Sequence, residues 1–180
     1  YPEIAKRFFA NINQDMVGEA LIKNRAFFNL ERPVDSLPSY LGDVLQSFVE
    51  WVGAVENEGD ESEEDRPSAI PPIVSPTGTR DPFYYAVTRF SGGSDHVVFQ
   101  DGAVRVPSVM FIVWPDMWYH TSGDKPDKSD STQLKRAVVM GAAAAIFLAS
   151  AGPEEVQKMI AETSGRALSR LGAEKTRAEK

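Results

Sequence analysis

The 180-residue sequence contains no cysteine and only two histidines. The absence of cysteine excludes disulfide bonds, zinc sites built from thiolates and a cysteine nucleophile. Basic residues are in the minority, with 19 Lys and Arg against 26 Asp and Glu, which gives a net charge of −7. Nucleic acids and anionic membranes bind concentrated basic surfaces, and the basic residues here are scattered until the C-terminus. The sequence therefore predicts neither as a partner.

Long apolar runs are also absent. The most apolar segment, 137–152, is shorter than the roughly 20 residues that a membrane-spanning helix needs. It follows charged residues, so we expect a buried core helix and no membrane-spanning segment. The chain opens without the charged-then-apolar pattern of a signal peptide. With 42% apolar residues and a length typical of one domain, it can bury a core.

Strand-like and helix-like patterns alternate along the chain. Strands are predicted over 5–17, 84–90 and 106–114. Helices are predicted over 36–55, with Ser36 as N-cap, from near Asp130 to 151, and within 153–180. Segment 56–68 is acidic and nearly free of apolar residues, which favours a solvated loop. This alternation predicts an α/β fold with a mostly parallel sheet.

Polar clusters follow the three predicted strands: Asp15, then Ser94-Asp95-His96, then Tyr119-His120. Ligand sites gather at the carboxyl ends of parallel strands, so the clusters are expected to form one site. An imidazole beside carboxylates suits a zinc ligand or a general base, whereas either histidine could also be structural. A serine nucleophile at Ser94, with His96 or His120 as its base, is a further alternative, although the G-x-S-x-G motif is absent.

Three segments together resemble the C-terminal half of the M28 family of zinc aminopeptidases. They are "NINQDMVGE", "FSGGSDHVVF" and "VPSVMFIVWPDMWYHTSGDKPDK", and their order and approximate spacing match the family from about residue 5 to residue 150. The third segment is the most specific. The resemblance implies a three-layer αβα fold of the zinc-dependent exopeptidase type, with its N-terminal part missing from this chain.

The resemblance also implies roles for individual residues. Asp15 and His120 would each ligate one of two zinc ions, and Tyr119 would stabilise the tetrahedral oxyanion. The pair of metals would lower the pKa of a bridging water and polarise the scissile carbonyl of a peptide substrate. The residues that would line the substrate pocket are Ser94, Asp95 and His96.

The sequence departs from the family pattern before Asp15. The family also needs a His-x-Asp pair, a bridging Asp and a Glu-Glu pair upstream, and this chain has none of them there. The pair Glu63-Glu64 lies after Asp15, in the wrong order. We therefore expect 1–152 to be the C-terminal portion of a peptidase domain that an N-terminal remainder completes, and the isolated chain to be inactive.

Three further points stay open at this stage. An M28-like domain without a metal site could serve in binding or assembly instead of catalysis. The family includes aminopeptidases, carboxypeptidases and glutaminyl cyclases, and is compatible with an extracytoplasmic or secreted location. A substrate carboxylate could meet an arginine, which would favour a carboxypeptidase, but each candidate could equally be a surface charge; the candidates are Arg80, Arg89 and Arg105.

Overall fold

The computed structural model describes residues 3, 6–57 and 71–180. Four strands form one sheet in the order β1-β4-β2-β3. They are β1 (Asn11–Gln14), β2 (Phe27–Glu31), β3 (Tyr85–Thr88) and β4 (Ser108–Trp114). The pairs β1–β4 and β2–β3 are parallel, and β2–β4 is antiparallel. The predicted α/β fold is confirmed, and its sheet is mixed.

Five helices accompany the sheet in the described part of the chain. They are α1 (Leu21–Asn24), α2 (Leu41–Asn57), α3 (His96–Gln100), α4 (Ser131–Ser150) and α5 (Pro153–Ala178). Helices α2 and α4 pack in the core on the sheet face that carries Phe28 and Leu30. Helix α3 lies on the opposite face, where its first residue contacts Glu31. Helices therefore cover both faces, as a three-layer αβα arrangement requires.

The alternation of side chains in β2 and β4 separates the core from the other face of the sheet. Phe28, Leu30, Phe111 and Val113 are fully buried in the core, and the rings of Phe28 and Phe111 lie 5.1 Å apart. The intervening residues of both strands point away from this core. They form the floor of the cavity described below.

The structure corrects two predicted boundaries. Strand β1 begins at Asn11 and not at residue 5, and helix α2 begins at Leu41 and not near Ser36. The N–H of Leu37 donates to the carbonyl of Val34, so the expected first turn of the helix is a separate turn. The hydroxyl of Ser39 accepts from the N–H of Leu41 at 3.0 Å and provides the contact expected of Ser36.

Helix α4 begins where the sequence predicts. The Asp130 carboxylate accepts from the N–H of Thr132 at 3.0 Å and caps the helix. By length and composition alone, α4 could cross a membrane, and 39% of its apolar window is buried. Its inward face packs in the core through Ala137, Met140 and Ala144. The prediction of a buried core helix is therefore correct for one face of α4, whereas the other face is exposed.

The predicted acidic loop lies mostly outside the described residues. Its first residue, Glu56, belongs to α2 and its side chain is only 3% exposed, so the prediction of a solvated position is wrong there. Arg136 of α4 donates from Nε to Glu56 Oε2 at 3.1 Å. The ion pair compensates the cost of burying the carboxylate.

Helix α5 has the predicted position but buries none of its residues fully. Its apolar side chains include Leu168 and Leu171, which are 71% and 67% exposed. Met159 packs against the core, and polar contacts also hold the helix to α2: Arg166 donates to Glu50 at 2.6 Å, and Arg170 donates to Asp43 at 2.5 Å.

Candidate active site

A cavity of about 510 Å³ opens on the sheet face opposite the core. Its floor comes from alternate residues of the antiparallel pair β2–β4, in which Asn29 lies opposite Ile112 and Glu31 opposite Met110. Trp114 extends the floor at the end of β4. The cavity therefore follows directly from the register of two neighbouring strands. The rim comes from the end of β3 and the segments after the strands: Thr88, Asp15, Met16, Arg89, Ser91, Gly92, Gly93 and Tyr119.

Asp15 stands at the rim, immediately after β1. Its N–H donates to the carbonyl of Phe111 at 3.0 Å, which fixes the backbone beside β4. The chain then turns at Met16, whose φ is +52° and whose carbonyl accepts from Val113. The Asp15 carboxylate makes no hydrogen bond or ion pair with the described residues, so it is available to a ligand.

Tyr119 and His120 lie in the loop after β4. Tyr119 lines the cavity, its ring stacks on His120 with centroids 3.6 Å apart, and it contacts Trp114 edge-on at 5.6 Å. His120 has a φ of +57°, is exposed, and does not itself line the cavity. Within the described chain its imidazole has no hydrogen-bond partner. The structure thus brings Asp15 and Tyr119 to one cavity, with His120 in contact with Tyr119.

The loop after β3 contributes different residues from those predicted. Ser91, Gly92 and Gly93 line the cavity, whereas Ser94, Asp95 and His96 do not. His96 is the first residue of α3 and is fully buried. Its Nε2 lies 2.8 Å from Oε1 of Glu31. The expected lining role of His96 is therefore replaced by a structural contact beneath the loop.

Glu31 connects this loop to the cavity floor. Its Oε1 accepts from the N–H of Gly92 at 3.1 Å as well as facing His96, and the Ser91 hydroxyl donates to its Oε2. The carboxylate is buried, with 3% of the side chain exposed. Since three polar groups converge on it, Glu31 sets the position of the Ser91–Gly93 segment.

The serine-nucleophile alternative lacks its central contact. Ser94 Oγ accepts from Asn13 Nδ2 at 2.9 Å. The Nε2 of His96 is engaged by Glu31. Among the hydrogen bonds of the described residues, none joins Ser94 to either histidine, so the nucleophile–base pair that this chemistry needs is not present.

Sequence reasoning missed Asn29 and Glu31, both of which lie on β2. The sequence signal for them is the alternation of these two polar residues with the buried Phe28 and Leu30, which is typical of a strand. Of the three arginine candidates, only Arg89 lines the cavity. Its guanidinium donates to Glu174 of α5.

The donor types fit part of a zinc site. Asp15 offers a carboxylate and His120 an imidazole, both ordinary zinc ligands. In the ranges 6–57 and 71–180, no group of three or more His, Cys, Asp or Glu residues is placed to hold a metal. Two donors are fewer than the three or four protein ligands of a zinc site.

Comparison with known proteins places the chain among peptidases. The sequence model of peptidase family M28 matches residues 4–145. No protein with a curated description matches the sequence. Among solved structures, an aminopeptidase from Aneurinibacillus sp. strain AM-1 is similar at 22% identity and a TM-score of 0.46. The similarity covers 82% of this chain and 27% of that chain.

Proposed function

We propose that this chain, which belongs to peptidase family M28, forms part of a zinc-dependent exopeptidase. The exopeptidase is most simply an aminopeptidase, and it would hydrolyse peptide bonds with a metal-activated water. The observation that carries the proposal is that Asp15 and Tyr119 line one cavity, with His120 stacked on Tyr119. The Asp15 carboxylate has no partner among the described residues. These residues occupy positions that the family resemblance assigns to metal binding and oxyanion stabilisation.

Asp15 and His120 would hold zinc through oxygen and nitrogen. Zinc, when bound, supplies a water of lowered pKa and polarises the scissile carbonyl. The contribution of this chain is to present the two donors from loops that β1 and β4 fix side by side. The remaining ligands would come from an N-terminal remainder of the peptidase domain.

Tyr119 would act on the oxygen of the scissile carbonyl. Its hydroxyl is the donor that the oxyanion requires as negative charge develops. The ring is held between Trp114 and His120, so its position is constrained on two sides. Its aromatic contacts therefore orient a hydrogen-bond donor at the cavity rim.

The free edge of β1 offers a docking position for the N-terminal remainder. In the described sheet β1 pairs only with β4, so its other edge presents unpaired backbone N–H and C=O groups. Asp15 follows this strand directly. A strand added here would bring further ligands to the side of the cavity where Asp15 stands.

The test is hydrolysis of aminoacyl-p-nitroanilides by the complete polypeptide that carries this chain and by the 180-residue chain alone. We expect the complete polypeptide to be active, a chelator to abolish that activity, and zinc to restore it. The 180-residue chain should be inactive. Chelator-sensitive activity of the 180-residue chain would contradict the partial site. An inactive complete polypeptide would favour an M28-like binding or assembly domain.

A further inference from the structure

We propose that the cavity selects substrates whose side chain ends in a positively charged group, as in lysine or arginine, and that Asn29 and Glu31 are the specificity-determining residues. The inference rests on the proposed peptidase function and adds a substrate class to it. It follows from the position of two polar side chains on an otherwise apolar floor.

Asn29 presents a fixed acceptor to the cavity. Its Nδ2 donates to the carbonyls of Phe27 at 2.9 Å and Trp114 at 3.0 Å, so the amide nitrogen faces the backbone. The orientation of the amide group is thereby determined, because both of its N–H bonds have partners. No described residue donates to Oδ1. Asn29 is 8% exposed and lines the cavity, so this oxygen meets its partner there.

Glu31 adds a carboxylate that contacts no lysine or arginine among the described residues. Its three polar contacts are the Ser91 hydroxyl, the N–H of Gly92 and His96 Nε2. The Nδ1 of His96 is buried and has no partner among the described residues. We assign the imidazole proton to Nε2, because that tautomer donates to Glu31 and leaves no buried N–H unpaired. Glu31 therefore places a buried carboxylate beside Asn29 in the floor of the cavity.

The other charged groups at the cavity do not reverse this balance. Asp15 at the rim is negative, and it is the proposed zinc ligand. Arg89 at the rim is positive, but its guanidinium is paired with Glu174 and its side chain is 68% exposed. A charge at the rim that is both paired and solvated is screened more strongly than the buried carboxylate.

The shape of the floor suits an aliphatic chain with a polar end. Met110, Ile112 and Trp114 line the cavity beside Asn29 and Glu31. The methylenes of a lysine or arginine side chain can pack on such apolar surfaces while the charged end reaches an acceptor. A leucine or norleucine side chain would fill the same space and leave Asn29 Oδ1 without a donor.

The test compares L-lysinamide with L-norleucinamide as probes of the 180-residue chain. Both carry the same α-ammonium and a linear four-carbon side chain, so they differ in the terminal ammonium alone. Titrations followed by NMR chemical shifts should show roughly tenfold tighter binding of L-lysinamide, as expected for one charge-assisted hydrogen bond. The largest shifts should occur at Asn29, Glu31 and Ile112. Equal or tighter binding of L-norleucinamide, or no binding of either, would contradict the inference.

Variants connect the preference to the two residues. Glu31→Gln and Asn29→Leu should each lower the preference for L-lysinamide below the roughly tenfold value of the unsubstituted chain. Asp35→Asn is the matched control, because it removes an exposed carboxylate that does not line the cavity. Asn29→Leu also removes two hydrogen bonds to backbone carbonyls. If Asn29→Leu fails to fold, Glu31→Gln alone tests the role of the cavity floor in the preference. A preference that survives in Glu31→Gln would contradict the role of Glu31.

The complete polypeptide separates this inference from the proposed function. Hydrolysis of lysyl-p-nitroanilide in preference to norleucyl-p-nitroanilide would support both. Hydrolysis with the opposite preference would contradict the substrate class and leave the peptidase assignment intact. Absence of hydrolysis would contradict the peptidase assignment, and the amide titrations would still decide whether the cavity prefers a cationic side chain.

Discussion

Tyr119 lines the cavity and its ring contacts two other aromatic rings. Its hydroxyl can therefore be removed while the packing of the ring is kept. We expect Tyr119→Phe to keep the contacts with Trp114 and His120 and to lose the oxyanion donor. In the complete polypeptide kcat should fall by roughly 10² to 10³, with zinc content and KM unchanged. Tyr84→Phe is the control, because Tyr84 is exposed outside the cavity. An unaltered kcat would remove Tyr119 from the proposed mechanism.

Glu19 gives a prediction on pH dependence at the residue scale. Burial raises the pKa of its carboxyl above 4.5, and the negative charges of Asp116 and Asp124 act in the same direction. The folded state then binds the proton more tightly than the unfolded state. The stability that Glu19 contributes is therefore present below about pH 4.5 and is lost as the pH rises through the raised pKa.

Glu19→Gln removes this titration. We expect the variant to be more stable than the wild-type protein at neutral pH, and the difference to vanish in acid below about pH 4.5. Urea unfolding across this range measures it, with Glu3→Gln as a control at an exposed carboxyl. A difference between variant and wild type that stays constant with pH would contradict the assignment.

At the scale of elements, the sequence predicted β3, β4 and the start of α4 because their signals are local. An apolar run specifies β4, and Asp130 caps α4 within its own turn. Strand β2 was missed because its alternation of apolar and polar residues extends over only five residues, Phe27–Glu31. The contact of Glu31 with His96 joins residues 65 positions apart, so no local pattern could reveal it.

A buried ion pair joins α2 and α4 beside their apolar packing. Arg136→Met should leave the Glu56 carboxylate buried without its partner, and the free energy of unfolding should fall by about 3–5 kcal/mol. Adding Glu56→Leu should recover part of the loss, because it removes the unpaired charge. Chemical denaturation measures both. Lys175→Met, at an exposed pair on α5, should change stability by less than about 1 kcal/mol. A similarly small loss for Arg136→Met would contradict the account.

The attachment of α5 to α2 should weaken in acid. A hydrogen bond from Arg166 lowers the pKa of Glu50 below 4.5. The contribution of Glu50 is therefore present above about pH 4.5 and is lost as the pH falls through its lowered pKa. Hydrogen-exchange protection of α5 should decrease over that range, and Glu50→Gln should remove this part of the decrease. Glu179→Gln, near the end of α5, is the control. An equal loss of hydrogen-exchange protection in acid for the wild type and Glu50→Gln would contradict the role of Glu50 in attaching α5.

At the scale of the whole molecule, two zinc donor types, the carboxylate of Asp15 and the imidazole of His120, follow the neighbouring strands β1 and β4. The cavity floor is complete on β2 and β4, whereas the proposed metal site needs ligands from elsewhere. Under the proposed function, substrate selection would reside in this chain, and metal binding would be shared with a further part of the peptidase domain.

The most direct measurement is the zinc content, by mass spectrometry of metals, of the complete polypeptide and its Asp15→Ala and His120→Ala variants. We expect two zinc ions per molecule in the wild type and a loss of zinc in each variant, with the fold retained by circular dichroism. The control Asp35→Asn should keep both ions. Unchanged zinc content in both variants would contradict the assignment of Asp15 and His120 as ligands.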